Sequence, residues 1–176
     1  YVAASRAEKY KMTPQATEDE PGILRCYDNT LFLEAIEEAD ENADYVIALP
    51  HWGTEYSTEL EDAQTEGAKE YIDAGADAVI GAHTHCLQGI GSYNDKPIVY
   101  SLGNFWFNEK TLETMLYEIH LTIEKTTDES GESTSKIISV ETEIIPGMQE
   151  DYTTAPAKTE DEKEDLLNYI YSLPTE

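Results

Sequence analysis

Three short apolar runs constrain most strongly what this chain can fold into: Ala43–Leu49, Ala78–Gly81 and Ile98–Leu102. The first has almost no in–out alternation, so it reads as a strand covered on both faces, as in a parallel sheet. Between the first two runs, Thr58-Glu59-Leu60-Glu61 has the capping-box pattern of a helix start. That helix carries Ala68, Tyr71 and Ile72, and Gly75 stands where a left-handed residue closes it. Strand, helix and strand with short joints predict a βαβ unit with a right-handed crossover, hence an α/β core.

The flanks extend the pattern. Residues 10–22 lack periodicity and read as a loop, and Asp28-Asn29-Thr30 offers caps for a helix ending near Asn42. The turn Asn94-Asp95-Lys96-Pro97 leads into the third run. From Met115 to Ile123 the odd positions are apolar, which predicts a half-buried strand. A turn at 128–133 and a strand over 136–145 make this an antiparallel hairpin. Residues 147–158 read as irregular, and Thr159-Glu160-Asp161-Glu162 opens a last helix with Leu166, Leu167 and Ile170 on its apolar side. At 176 residues the chain has room for one domain with a real core.

Composition narrows the function. Acidic residues outnumber basic ones 37 to 11, for a net charge of −26. Such a surface repels phosphate backbones and anionic headgroups, which argues against nucleic-acid and membrane-surface binding. An anionic substrate would need local positive charge, and a metal can supply it. No apolar run reaches the roughly 18 residues of a membrane span. Cys26 and Cys86 fit either one bridge or two buried thiols.

The histidines carry the chemistry. His51 follows the first apolar run, and His83 and His85 follow the second. Ligand sites in open α/β sheets form beyond the carboxyl ends of the strands, so neighbouring strands would bring three imidazoles to one edge. Neutral imidazoles there suit a divalent metal. Glu55 is a candidate for orienting an imidazole or for general acid–base work, against a reading as plain surface charge. Asn104 can donate to a phosphate oxygen or cap a turn. Trp52 and Trp106 are expected in the core rather than at the site mouth, and His120 is expected to face away from the apolar side without ligating.

These residues lie in recognisable blocks. His51-Trp52-Gly53-Thr54-Glu55-Tyr56, Gly75-Ala76-Asp77-Ala78-Val79-Ile80-Gly81 leading into His83-Thr84-His85, and Tyr100-Ser101-Leu102-Gly103-Asn104-Phe105 resemble, in order, three blocks of the CapA family of capsule and poly-γ-glutamate synthesis proteins. The close match covers about 43–108. The resemblance implies part of a metallophosphoesterase-like α/β/β/α sandwich, a mixed sheet with a βαβ core followed by an antiparallel hairpin and a C-terminal helix. It further implies that residues 1–176 are one partial domain, the carboxy-terminal portion, with early Asp and Asn-His ligands lying upstream. His51, His83 and His85 would be metal ligands, the first two on one ion and His85 on a second. The metals implied are Mn, Zn or Fe, two in the full-length protein and bound weakly or not at all by this segment. The partners implied are a capsule polymer or phosphoester and other capsule synthesis proteins. The location implied is extracytoplasmic at the cell surface, through an anchor outside this chain. A metal-dependent phosphodiesterase or phosphatase and a non-catalytic surface binding module are the competing functions.

Overall fold

The computed structural model describes residues 1–6, 14–17, 19–107, 110–128, 130–131 and 133–176. Residues 10–13 and 18 of the expected loop, and 129 and 132 of the expected turn, lie outside them. The α/β expectation holds. β1 (Val2–Ser5), β2 (Ile47–His51), β3 (Ala78–Ile80), β4 (Ile90–Tyr93) and β5 (Lys96–Val99) form one sheet in the order β1-β2-β3-β5-β4. All neighbours are parallel except the β4–β5 pair. A second sheet joins β6 (Leu112–Thr127), β7 (Ser133–Glu150) and β8 (Thr153–Pro156), all antiparallel.

Successive strand residues face opposite sides of a sheet, and the core divides accordingly. Val79 and Ile98 point into a cluster built with α1 (Thr30–Asn42) and α2 (Asp62–Asp73), including Phe32, Ile36, Ala68 and Tyr71. Their neighbours Ile80 and Val99 point the other way, toward Met115 of β6 and Ile170 and Leu173 at the end of α3 (Glu160–Ser172). The middle strands are thus covered on both faces. In β2 the faces differ: Ala48 is buried and Ile47 and Leu49 are half-buried.

Several elements depart from expectation. β1, β4 and β8 were not anticipated, because VAAS, IGSY and TTAP are four residues each and too short to show a period. Asn94 and Asp95 form the two-residue turn joining β4 to β5, both at positive φ (50° and 62°), as a type I′ hairpin turn requires. The capping box of α2 sits one turn later than Thr58: Glu61 is the cap and Gln64 reciprocates, its amide fixed by the buried side chain of Gln88 at 2.8 Å. At α3 the expected cap forms, Thr159 accepting from the Glu162 amide at 3.2 Å. The alternating strand packs only through its first half. Met115 is buried, while Leu121 and Ile123 are exposed, because the β6–β7 hairpin outruns the sheet beneath it.

Candidate metal centre

The parallel ladder brings the first two histidines together. His51 closes β2, pairing with Ser5 on one side and bridging to Ala82 on the other, and the Trp52 amide donates to the Ala82 carbonyl at 2.9 Å. His83 therefore emerges one residue past a backbone bridge to His51. His51 Nε2 lies 2.8 Å from His83 Nδ1, with ring centroids 4.6 Å apart. The His85 ring is 6.1 Å from that of His83. A close pair with a third ring beside it is the arrangement of the strand ends.

This approach depends on two local features. A Cβ at Gly81 would lie 2.1 Å from the Tyr100 carbonyl oxygen and 2.4 Å from the Trp52 indole nitrogen, so no larger residue fits where the chain leaves β3. Beyond it, His83 and His85 both adopt positive φ, 113° and 59°. Non-glycine residues in that region carry strain and collect at functional sites.

The loop after β2 is held by buried amides. Gln88 donates to the carbonyls of Ser57 and Glu59, both at 3.1 Å, and accepts from Gln64. Glu55 on this loop is exposed, its carboxylate 4.0 Å from His83 Nε2. Tyr56 lies beside His85 at 5.6 Å, and Lys110 sits over the Tyr56 ring at 4.4 Å. Asn104 is buried, and its Oδ1 is 2.8 Å from His85 Nδ1. Trp52 is a core residue stacked between Tyr71 and Tyr100, as expected. Trp106 is not: it is exposed and leans toward Tyr152. Both cysteines are free thiols.

Arg6, at the carboxyl end of β1, is a site element that sequence reasoning missed. It is buried, 4.0 Å from the Glu61 carboxylate and over the Tyr27 ring. Recognising it required recognising β1. Its charge bears on the imidazoles. His83 is held down to about 4, first by burial and then by His51 and Arg6. His51 is also lowered, by desolvation first, then by His85 and Arg6. Both rings are therefore neutral at physiological pH, the state a metal ligand needs.

The donor set fits a divalent ion in kind. Ligand nitrogens sharing one zinc at about 2.0–2.1 Å are about 3.3 Å apart, so a small opening of the His51–His83 pair would admit one. His83 Nε2 is buried and has no hydrogen-bond partner among the described residues. Among those residues the three histidines do not bring one donor atom each within 4.8 Å of one another. A group that does is Glu118, His120 and Glu143 on the polar face of the β6–β7 hairpin.

Comparison with known proteins follows the same segment. The sequence profile of the family described as Bacterial capsule synthesis protein PGA_cap matches residues 2–109, which takes in every strand of the five-stranded sheet together with His51, His83 and His85. The PGA biosynthesis protein CapA of Bacillus subtilis is 40% identical over 109 residues, covering 60% of this chain and 28% of that protein. The capsule biosynthesis protein CapA of Bacillus anthracis is 38% identical over 112 residues, covering 60% of this chain and 27% of its own length. An uncharacterized protein of Sinorhizobium fredii, y4sH, is 37% identical over 79 residues, 44% of this chain and 17% of that protein. The chain thus corresponds to little more than a quarter of the CapA proteins it matches.

Proposed function

The chain belongs to the bacterial capsule synthesis protein family PGA_cap, and from that premise we propose that it supplies the histidine side of a metal centre in a protein of capsule or poly-γ-glutamate biosynthesis. The observation that carries the reading is the 2.8 Å approach of His51 to His83 at the ends of two adjacent parallel strands, with His85 alongside. The family is metallophosphoesterase-like, so the ligands proposed are His51 and His83 for one ion and His85 for another, with manganese, zinc or iron as candidates. Such ions would screen the charge of a phosphoester or polymer carboxylate and lower the pKa of bound water.

The chain's own residues have defined parts in this reading. Gly81 and the strained turn at His83 and His85 aim the imidazoles, and the Gln64–Gln88 pair fixes the loop that carries Glu55. The exposed Glu55 carboxylate, 4.0 Å from His83 Nε2, is beyond hydrogen-bond range as it stands, and a change of its rotamer would let it orient that ring or take a proton at the rim. The surface charge of −26 disfavours broad contact with a polyanion. Engagement of one end of a polymer at the charged crevice fits better. Partners among other capsule synthesis proteins and a cell-surface location belong to the same proposal.

Hydrolysis of bis-p-nitrophenyl phosphate by the protein with added manganese or zinc tests the catalytic form, with His83→Ala as the control. Capsule formation in a strain carrying His51→Ala tests the biological form. A folded His51→Ala protein that sustains normal capsule would overturn the role of the centre.

A further inference from the structure

We propose that Asn104 is the positioning residue for His85: its side-chain carbonyl holds the ring in the Nδ1–H form, so that Nε2 presents its lone pair toward the centre. This inference rests on the metal-centre reading above and adds a determinant that it lacked.

The geometry constrains the imidazole on both edge and face. Asn104 Oδ1 lies 2.8 Å from His85 Nδ1. An amide oxygen can only accept, and a neutral imidazole has one N–H. The proton is therefore on Nδ1, and Nε2 is left as the acceptor nitrogen. The ring also stacks on Phe107 at 4.2 Å with planes 23° apart. Tyr56 lies alongside at 5.6 Å. With His85 at φ 59°, these contacts leave the ring little freedom.

Asn104 is itself fixed. Gly103 before it adopts φ +73°, and a Cβ there would lie 2.9 Å from the Glu113 carbonyl oxygen. The Met115 amide and the Thr114 hydroxyl both donate to the Leu102 carbonyl, at 3.3 and 3.1 Å, tying the segment to β6. Asn104 is 7% exposed, and its Nδ2 has no hydrogen-bond partner among the described residues. Leaving the N–H group of a buried amide unmatched while its oxygen is committed to one imidazole is destabilising. That cost is understandable if the oxygen has a purpose. Metal-ligating histidines characteristically give their second N–H to such an oxygen. Rotating the amide by 180° would reverse the outcome: Nδ2 would donate to Nδ1, the proton would move to Nε2, and His85 could not ligate through it.

The test is the tautomer of His85, read from two-bond proton–nitrogen correlations of the 15N-histidine-labelled chain without metal at pH 7.5. The expected result is the Nδ1–H tautomer in the wild type and in Asn104→Asp, whose carboxylate accepts the same proton. Asn104→Ala should lose it while the methyl proton resonances of Ile36, buried in the cluster on the α1 and α2 face of the sheet, keep their positions. Zinc added to the same samples should then move His85 Nε2 in the wild type at about 10- to 100-fold lower concentration than in Asn104→Ala. An Nε2–H tautomer in the wild type, or an unchanged tautomer and zinc response in Asn104→Ala, would overturn the proposal. If the tautomer follows Asn104 but even millimolar zinc moves none of the three imidazoles, the tautomer assignment stands and the reading that this chain's histidines hold a metal falls.

Discussion

Trp52 donates its indole N–H to the carbonyl of Tyr100 at 2.9 Å, across the place where Gly81 has no side chain to separate them. Both aromatic residues are essentially fully buried, and the bond spans the strand ends that carry the histidines. The site and the core are therefore joined at one contact.

Gly81→Ala should be severely destabilising, because its Cβ would fall 2.1 Å from a backbone oxygen that cannot yield. Trp52→Phe, which loses the bond and leaves the carbonyl buried, should cost about 2–3 kcal/mol. Urea denaturation followed by circular dichroism measures both. A Gly81→Ala protein of wild-type stability would contradict the close packing described.

Gln88→Leu removes both donations to the loop after β2 and the acceptor of Gln64. Stranding the buried Gln64 amide and these part-buried carbonyls should cost about 2–4 kcal/mol. The loss should concentrate in residues 53–61, seen as faster amide hydrogen exchange there than in β3. Uniform acceleration across the chain would count against a local lock.

The imidazole pair should show in the pH dependence of stability. An unfolded histidine takes up its proton near pH 6.5, whereas His83 in the native chain resists until about 4. The unfolded state binds more protons between those values, so the stabilising contribution is complete above about 6.5 and is lost as the pH falls toward 4. The stability difference between wild type and His83→Gln should shrink by about 1–2 kcal/mol between pH 7.5 and 4.5, after allowance for solvent screening. A difference constant with pH would refute the depressed pKa.

Metal affinity of this segment should be modest. Three neutral imidazoles cannot offset two divalent charges, and the Glu55 carboxylate is 4.0 Å from its histidine. Calorimetric zinc titration should give less than two ions per chain and affinity weaker than micromolar. A 2:1 stoichiometry with submicromolar affinity would show that the residues present suffice.

The projecting hairpin should be energetically separate from the core. Ile123→Thr and Ile138→Thr, each at a residue 56% exposed, should change stability by less than about 0.5 kcal/mol. Met115→Ala, in the same sheet but buried at 3%, should cost about 2–4 kcal/mol. Thermal unfolding of the three variants makes the comparison directly.

What the sequence determined by itself was the parallel core and the placement of three histidines at its strand ends. Apolar runs at 43–49, 78–81 and 98–102, each followed by polar or glycine-rich residues, pointed to a largely buried parallel sheet with the histidines at its strand ends. The histidine spacing relative to those runs, and the blocks around them, were legible for the same reason. Tertiary structure alone decided the rest. Four-residue strands such as β1 acquire their identity only from the ladder they join, so Arg6 was invisible as a neighbour of the site. Thr58 and Glu61 both offered plausible caps, and the distant Gln88, by engaging Gln64, selected the second. The role argued for Asn104 likewise depends on a side chain nineteen positions away being brought within 2.8 Å, a separation that local pattern does not encode.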